Sequence, residues 1–174
     1  MHEFCQLVQH TTAFTLNALE AAWQATTDEL QNSAETRLVK TLQMLQLQKA
    51  ISAVGMFAMF EAEIQDRLQC REGFLEANKR LDAAGNAELR DLFVKLQQAV
   101  NVLKHGRGRS YDALVAAAAS LPFRVKLPDE AFFNEGDVSE ISTLIEVNDE
   151  FVLLCANVID QVSVALNAHN QNGG

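Results

Sequence analysis

The chain predicts a mainly α fold: a helical bundle of about five to six helices in a single domain over residues 1–170, with a small antiparallel β-hairpin before the last helix. Three observations predict it. Only two prolines and eight glycines occur in 174 residues, against abundant Ala, Leu, Gln, Glu and Val, which is a helix-forming composition. Apolar residues recur at mixed three- and four-residue spacings along most of the chain. The two stretches that alternate instead, "FRVKLP" and "STLIEV", stand close together near the C-terminus.

Phe4, Leu7, Val8, Phe14, Leu16, Leu19, Ala22 and Trp23 predict a first helix from residue 4 to about 30 with one buried face. Asn32 or Ser33 is the expected N-cap of a second helix reaching Cys70, striped by Leu38, Leu42, Leu45, Ile51, Val54, Phe57, Met59, Phe60 and Ile64. Its middle is apolar nearly all round, which predicts a place at the centre of the bundle, and Gly55 within it predicts close helix packing or a kink. A shorter helix follows from Arg71 to Ala84, closed by Gly85, and Asn86 caps a fourth helix striped by Leu89, Leu92, Phe93, Leu96, Val100 and Leu103. That helix is expected to end at Lys104-His105-Gly106, with cations in the last turn and glycine just beyond it.

Ser110 reads as the N-cap of a fifth helix, Tyr111 to about Leu121, stopped by Pro122. Phe123–Leu127 and Ser142–Val147 are the candidate strands, pairing across a Phe132–Glu140 loop. Asn148, with Asp149 and Glu150 behind it, is a helix start, and Phe151, Leu154, Cys155, Val158, Ile159, Val162 and Leu166 stripe a long last helix. Residues 171–174 are expected to form a disordered tail.

The formal net charge of -9 excludes a surface built broadly for nucleic acid or anionic membrane, so any phosphate contact has to be local. No charged segment followed by an apolar one opens the chain, and the apolar run Ala50–Ala62 is too short to cross a bilayer, so a cytoplasmic protein without membrane contact is expected. Cys5, Cys70 and Cys155 are odd in number and form no Cys-x-x-Cys pair, which fits reduced, inert thiols. No Glu-x-x-His occurs, Glu61 and Glu63 diverge around their helix, and His2, His10 and His169 have no ligand-spaced partner, so neither metal nor other cofactor is expected. The phosphate-loop and nucleophile-elbow patterns are also absent. Glu61, inside "GMFAMFEAEI", must either face water or take a cationic partner in the core, and both remain open.

One stretch gathers polar chemistry: "NVLKHGRGRSY", holding Asn101, Lys104, His105, Arg107, Arg109, Ser110 and Tyr111. Asn101 and His105 are four apart and share a helix face, so an amide and an imidazole can converge on one small group. Gly106 and Gly108 let the backbone approach a ligand, the arginines can grip phosphate oxygens in bidentate fashion, and the start of the next helix offers free N–H groups. Residues 104–126 carry five Lys or Arg against one acid, Asp112. A phosphate-bearing ligand fits these groups best; a solvated helix cap is the alternative.

"VNVLKHG" and the glutamate-bearing apolar helix "GMFAMFEAEIQDRL" together resemble the HEPN group (higher eukaryotes and prokaryotes nucleotide-binding), helical bundles that are often metal-independent RNases. The resemblance implies Asn101 as the polar residue and His105 as the catalytic histidine of that family, while the family's arginine position holds Val100. It implies a homodimer, RNA or a nucleotide as ligand, and a bacterial defence or toxin–antitoxin setting with an antitoxin-like protein partner.

Three readings follow. The preferred one is a HEPN-like module that binds without cleaving. A second is an active RNase, with His105 as general acid/base, Asn101 orienting the 2′-hydroxyl and Arg107 or Arg109 on the phosphate. A third is a helical protein-interaction domain with no nucleic-acid role.

Overall fold

Six α-helices carry the described residues, and each follows from the stripe of apolar residues it buries. In the computed structural model, which describes residues 2–33, 35–130 and 141–171, they are α1 (His2–Leu30), α2 (Thr36–Leu68), α3 (Gly73–Ala83), α4 (Ala87–His105), α5 (Arg109–Ala116) and α6 (Asp149–Gln171). One 3₁₀ turn, Ala118–Ser120, follows α5.

The start of α6 is built as its sequence demands. Asn148 Oδ1 accepts from the Phe151 backbone N–H at 2.9 Å, and Asp149 and Glu150 lie in the first turn, where the helix dipole favours acids. The helix then runs through the centre of the bundle against α1, α2, α3 and α4. Phe151, Val152, Cys155, Ala156, Val158, Ile159, Val162 and Leu166 are all buried. That central position explains the apolarity of the helix: Asp149–Ala168 has a mean hydropathy of 1.6 and is long enough to cross a bilayer, yet half of it is buried against the protein's own helices.

Aromatic rings tie the other helices to this core. Phe74 of α3 meets Phe93 of α4 edge to face at 5.2 Å, and both meet Phe57 and Phe60 of α2 at 6.0 to 6.4 Å. Phe4 of α1 stacks on Phe60 at 6.2 Å. Between α1 and α6 the buried Cys5 thiol donates to Ser163 Oγ at 2.8 Å, and the Ser163 hydroxyl donates on to the Ile159 carbonyl at 2.8 Å. Lys49 of α2 pairs with Asp149 at the head of α6 at 2.7 Å. Away from this body, α1 and α2 have only a small cluster of their own, Leu19, Leu42 and Leu45 with Ala22, Trp23 and Leu30 against them.

Several expectations are corrected here. The expected hairpin is reduced to one antiparallel bridge, Val125 to Ile145, with Lys126 N–H donating to Leu144 O at 2.9 Å and Glu146 N–H to Arg124 O at 3.1 Å. The two segments pair as expected but do not extend into strands, because Val125 from one and Ile145 and Val147 from the other insert into a helical core instead of building a sheet face. Their loop, Phe132–Glu140, lies outside the described residues, as does the tail beyond Gln171. The second helix starts at Thr36, not at an Asn32 or Ser33 cap, and ends at Leu68 with Gln69 left-handed. The fifth helix starts two residues early, at Arg109, with Gly108 as its N-cap and Ser110 inside it, and gives way to the 3₁₀ turn before Leu121.

Gly55 does not pack closely: a Cβ built there meets no heavy atom of the described residues within 4 Å. The close approach lies instead at Gly73, where a Cβ would stand 2.8 Å from the Glu61 carbonyl oxygen and 3.1 Å from Gln65 Cγ. The start of α3 thus presses against the backbone of α2. Nor is α2 enclosed on all sides, for Met44, Leu47, Ile51 and Met59 remain about half exposed or more.

Candidate functional site

The candidate site forms where α4 ends. Phe93, Leu96, Ala99, Val100 and Val102 hold one side of α4 in the core, which turns Asn101 and His105 outward on a shared face. Gly106 then closes the helix, donating its N–H to the Val102 carbonyl at 2.8 Å with φ at +75°, a conformation that favours glycine. The chain crosses to Gly108 and re-enters helix at Arg109.

Asn101, His105, Gly106, Arg107, Gly108, Arg109 and Ser110 line one open concavity of about 290 Å³. Among the described residues no carboxylate lines it. Of the seven side chains that the sequence singles out between 101 and 111, five meet here. Lys104 is exposed but does not line the concavity. Tyr111 is a core residue: it is 3% exposed, and its hydroxyl donates to the Lys126 carbonyl at 2.7 Å. Its contribution to the site is indirect, since the Arg107 guanidinium lies over its ring at 5.6 Å from the centroid. The four-residue spacing of Arg107 and Tyr111 is the signal by which that stacking is readable in the sequence.

The basic character is narrower than residues 104–126 suggest. Arg124 is taken up by Glu130 and by Glu146, the latter at 3.8 Å, and its hydrogen bond holds the Glu130 carboxyl below its ordinary range. Arg37, Arg80 and Arg90 likewise lie on carboxylates. By contrast, Lys104, Arg107 and Arg109 make no ion pair among the described residues, so their charge is directed at solvent.

Glu61 is not a buried, partnered carboxylate. It is half-buried at the edge of α2 beside the start of α3, and no cation pairs with it among the described residues. Val100 is buried at 5% exposure and faces the core, away from the concavity that Asn101 and His105 line. Among the described residues no three His, Cys, Asp or Glu side chains converge into a metal-binding group. His10 is exposed, and the side chains of His2 and His169 lie outside the described residues.

No family model, no curated protein and no solved structure matches this chain.

Proposed function

We propose that the concavity at the end of α4 binds the phosphate of single-stranded RNA or of a free nucleotide, and that the chain is a binding module that does not cleave its ligand. One observation carries the reading: an imidazole, a carboxamide, two guanidinium groups and a hydroxyl line the same 290 Å³ depression with no carboxylate among them. That volume stands at the lower end of small-ligand pockets, suited to a phosphate with its sugar. Arg107 and Arg109 supply bidentate, charge-assisted hydrogen bonds, while Asn101 and His105 offer neutral polar contacts to a sugar hydroxyl or base edge. The stacking of Arg107 on Tyr111 supports the reading further, since a guanidinium held on a ring loses less freedom when it grips phosphate.

Binding is favoured over cleavage because of Val100. In the HEPN group, which this sequence resembles, the residue at that position is an arginine that stabilises the strained phosphate. Here it is a valine inside the core, and an arginine introduced there would meet Leu96 and Leu103, one turn away on either side, before it met the concavity. The resemblance also supports, as part of the same proposal, a defence or toxin–antitoxin setting.

Fluorescence anisotropy with a labelled single-stranded oligoribonucleotide, competed by free nucleotide, tests the binding. Weak, salt-sensitive binding lost in the Arg107→Ala, Arg109→Ala double variant is expected, and binding indifferent to that change would overturn the proposal. Incubation of the same oligonucleotide without metal tests the second half. Intact RNA is expected; cleavage abolished by His105→Ala would restore the RNase reading.

A further inference from the structure

Two guanidinium forks line the concavity at the end of α4, and neither is spent on the protein. Arg107 and Arg109 are exposed and make no ion pair among the described residues. Each fork presents parallel N–H groups that match an edge formed by two phosphate oxygens. A phosphodiester inside a strand has two non-bridging oxygens and so a single edge of this kind. A phosphate monoester has three terminal oxygens, hence three edges, and a charge of about -1.5 to -2 at pH 7. Both forks can seat on the monoester, whereas the diester leaves one of them with an ester oxygen.

We infer that the site takes a terminal phosphate monoester, on a strand end or a free nucleotide, and holds it by phosphate and sugar without reading the base. The inference rests on the phosphate site proposed above and narrows its ligand. An internal phosphodiester, the group that a cleaving RNase must hold, is the alternative it sets aside.

The depression has no platform for a base. Its lining side chains are Asn101, His105, Arg107, Arg109 and Ser110, and no Phe, Tyr, Trp or aliphatic side chain lines it among the described residues. The ring of Tyr111 is 3% exposed and lies under the Arg107 guanidinium. Sites that follow a single strand stack successive bases on such rings. Here the carboxamide of Asn101 and the imidazole of His105 suit ribose hydroxyls instead. The N-cap of α5, Gly108, brings no side-chain cap to the first-turn N–H groups, which adds donors for the extra oxygen of a monoester.

Beyond the depression the charge runs the other way. Arg124 is held by Glu130 and Glu146, and Asp112 stands exposed three residues after Arg109, on the same face of α5. With a net charge of -9 on the chain, each further phosphate of a strand gains less than the one in the depression. A passing strand meets this surface on both sides of the site; a strand end or a nucleotide meets less of it.

Competition on the full chain at about 0.1 M salt tests the inference, with a labelled hydroxyl-ended oligoribonucleotide as the anisotropy probe. Unlabelled strands of the same sequence carry a 5′-phosphate, a 3′-phosphate or hydroxyls at both ends, and adenosine monophosphate and ribose 5-phosphate are the small competitors. At least one phosphorylated strand or adenosine monophosphate should displace the probe at about a tenfold lower concentration than the hydroxyl-ended strand, and which of them does so names the source. Ribose 5-phosphate should match adenosine monophosphate within about threefold. Arg107→Lys combined with Arg109→Lys keeps both charges and removes both forks, and both positions are exposed, so the core is left intact. It should hold the hydroxyl-ended strand within about threefold of the native chain and cut the monoester preference to about twofold or less. Equal displacement by phosphorylated and hydroxyl-ended competitors, with binding still lost in the Arg107→Ala, Arg109→Ala variant, would overturn the inference and leave the phosphate site standing. Absence of any binding would remove the site itself. A monoester preference that survives the lysine pair would overturn the role of the forks, and a nucleotide that outcompetes ribose 5-phosphate by about tenfold would overturn recognition without the base.

Discussion

The Arg107 guanidinium lies over the ring of Tyr111, 5.6 Å from its centroid, and the hydroxyl of that ring donates to the Lys126 carbonyl at 2.7 Å. One buried side chain thereby links an exposed cation to the segment that follows α5. The two halves of this link are separable. Tyr111→Phe keeps the ring and removes the hydrogen bond, and is expected to cost about 1 kcal/mol in urea denaturation while RNA affinity stays the same. Tyr111→Leu removes both, and is expected to weaken binding as well, because Arg107 is then unsupported.

The salt dependence of binding should be shallow. Arg107 and Arg109 line the site and the exposed Lys104 adjoins His105 in the chain, so neutralising about three phosphates of a single strand gives a slope near -2 in log K against log salt. The Arg107→Ala, Arg109→Ala variant should lower its magnitude by about 1.4, read from anisotropy titrations at several salt concentrations.

The two glycines of the α2–α3 region are expected to respond in opposite directions to the same change. At Gly73 a Cβ would stand 2.8 Å from the Glu61 carbonyl oxygen, backbone that cannot yield cheaply, so Gly73→Ala should destabilise by about 1 to 3 kcal/mol. At Gly55 a Cβ meets nothing within 4 Å among the described residues, so Gly55→Ala should stabilise the helix by about 1 kcal/mol.

The thiols should react in order of burial. Cys5 and Cys155 are buried and Cys70 is half-buried, so one of the three should be modified rapidly by a thiol reagent in the native protein, and all three after denaturation. Burial pushes both buried thiols above their ordinary value of 9.0, far above it for Cys155; for Cys5 the nearby Asp160 and Glu63 add to burial while the Ser163 hydrogen bond opposes it. The folded state therefore holds these protons after the unfolded chain has released them. Stability should fall as pH rises above 9, by about 1.4 kcal/mol per pH unit from Cys155, and that part of the slope should vanish in Cys155→Ala.

The cap of α6 offers a local test. Asn148→Ala removes the acceptor for the Phe151 N–H and should cost about 1 kcal/mol in thermal or urea unfolding, because the helix it opens is the centre of the core.

Much of the fold was legible because helices are local. Their periodicity, the Asn148 cap and the glycine after His105 are each decided within about four residues, and the six helices lie close to where those signals put them. The candidate site was legible for the same reason: Asn101 and His105 share a face by spacing alone, and the turn that brings Arg107, Arg109 and Ser110 beside them spans three residues. What was not legible depended on distant partners. Alternation in "FRVKLP" and "STLIEV" carries a strand signal, but whether it becomes a sheet depends on what lies on its faces, and here a helical core takes Val125 from one and Ile145 and Val147 from the other.

The sequence by itself determined the helices, the Asn148 cap, the unpaired thiols and the cationic turn, because each depends on the order of neighbouring residues along one helix or loop. Only the tertiary structure decided which charges and which apolar faces are left for use. It buried Tyr111, neutralised Arg124 with Glu130 and Glu146, turned Val100 into the core, and left one apolar side of α2 facing outward. Burial and ion pairing are properties of surfaces brought together from far apart in the chain, and no spacing along a single helix encodes which surface its neighbours will cover.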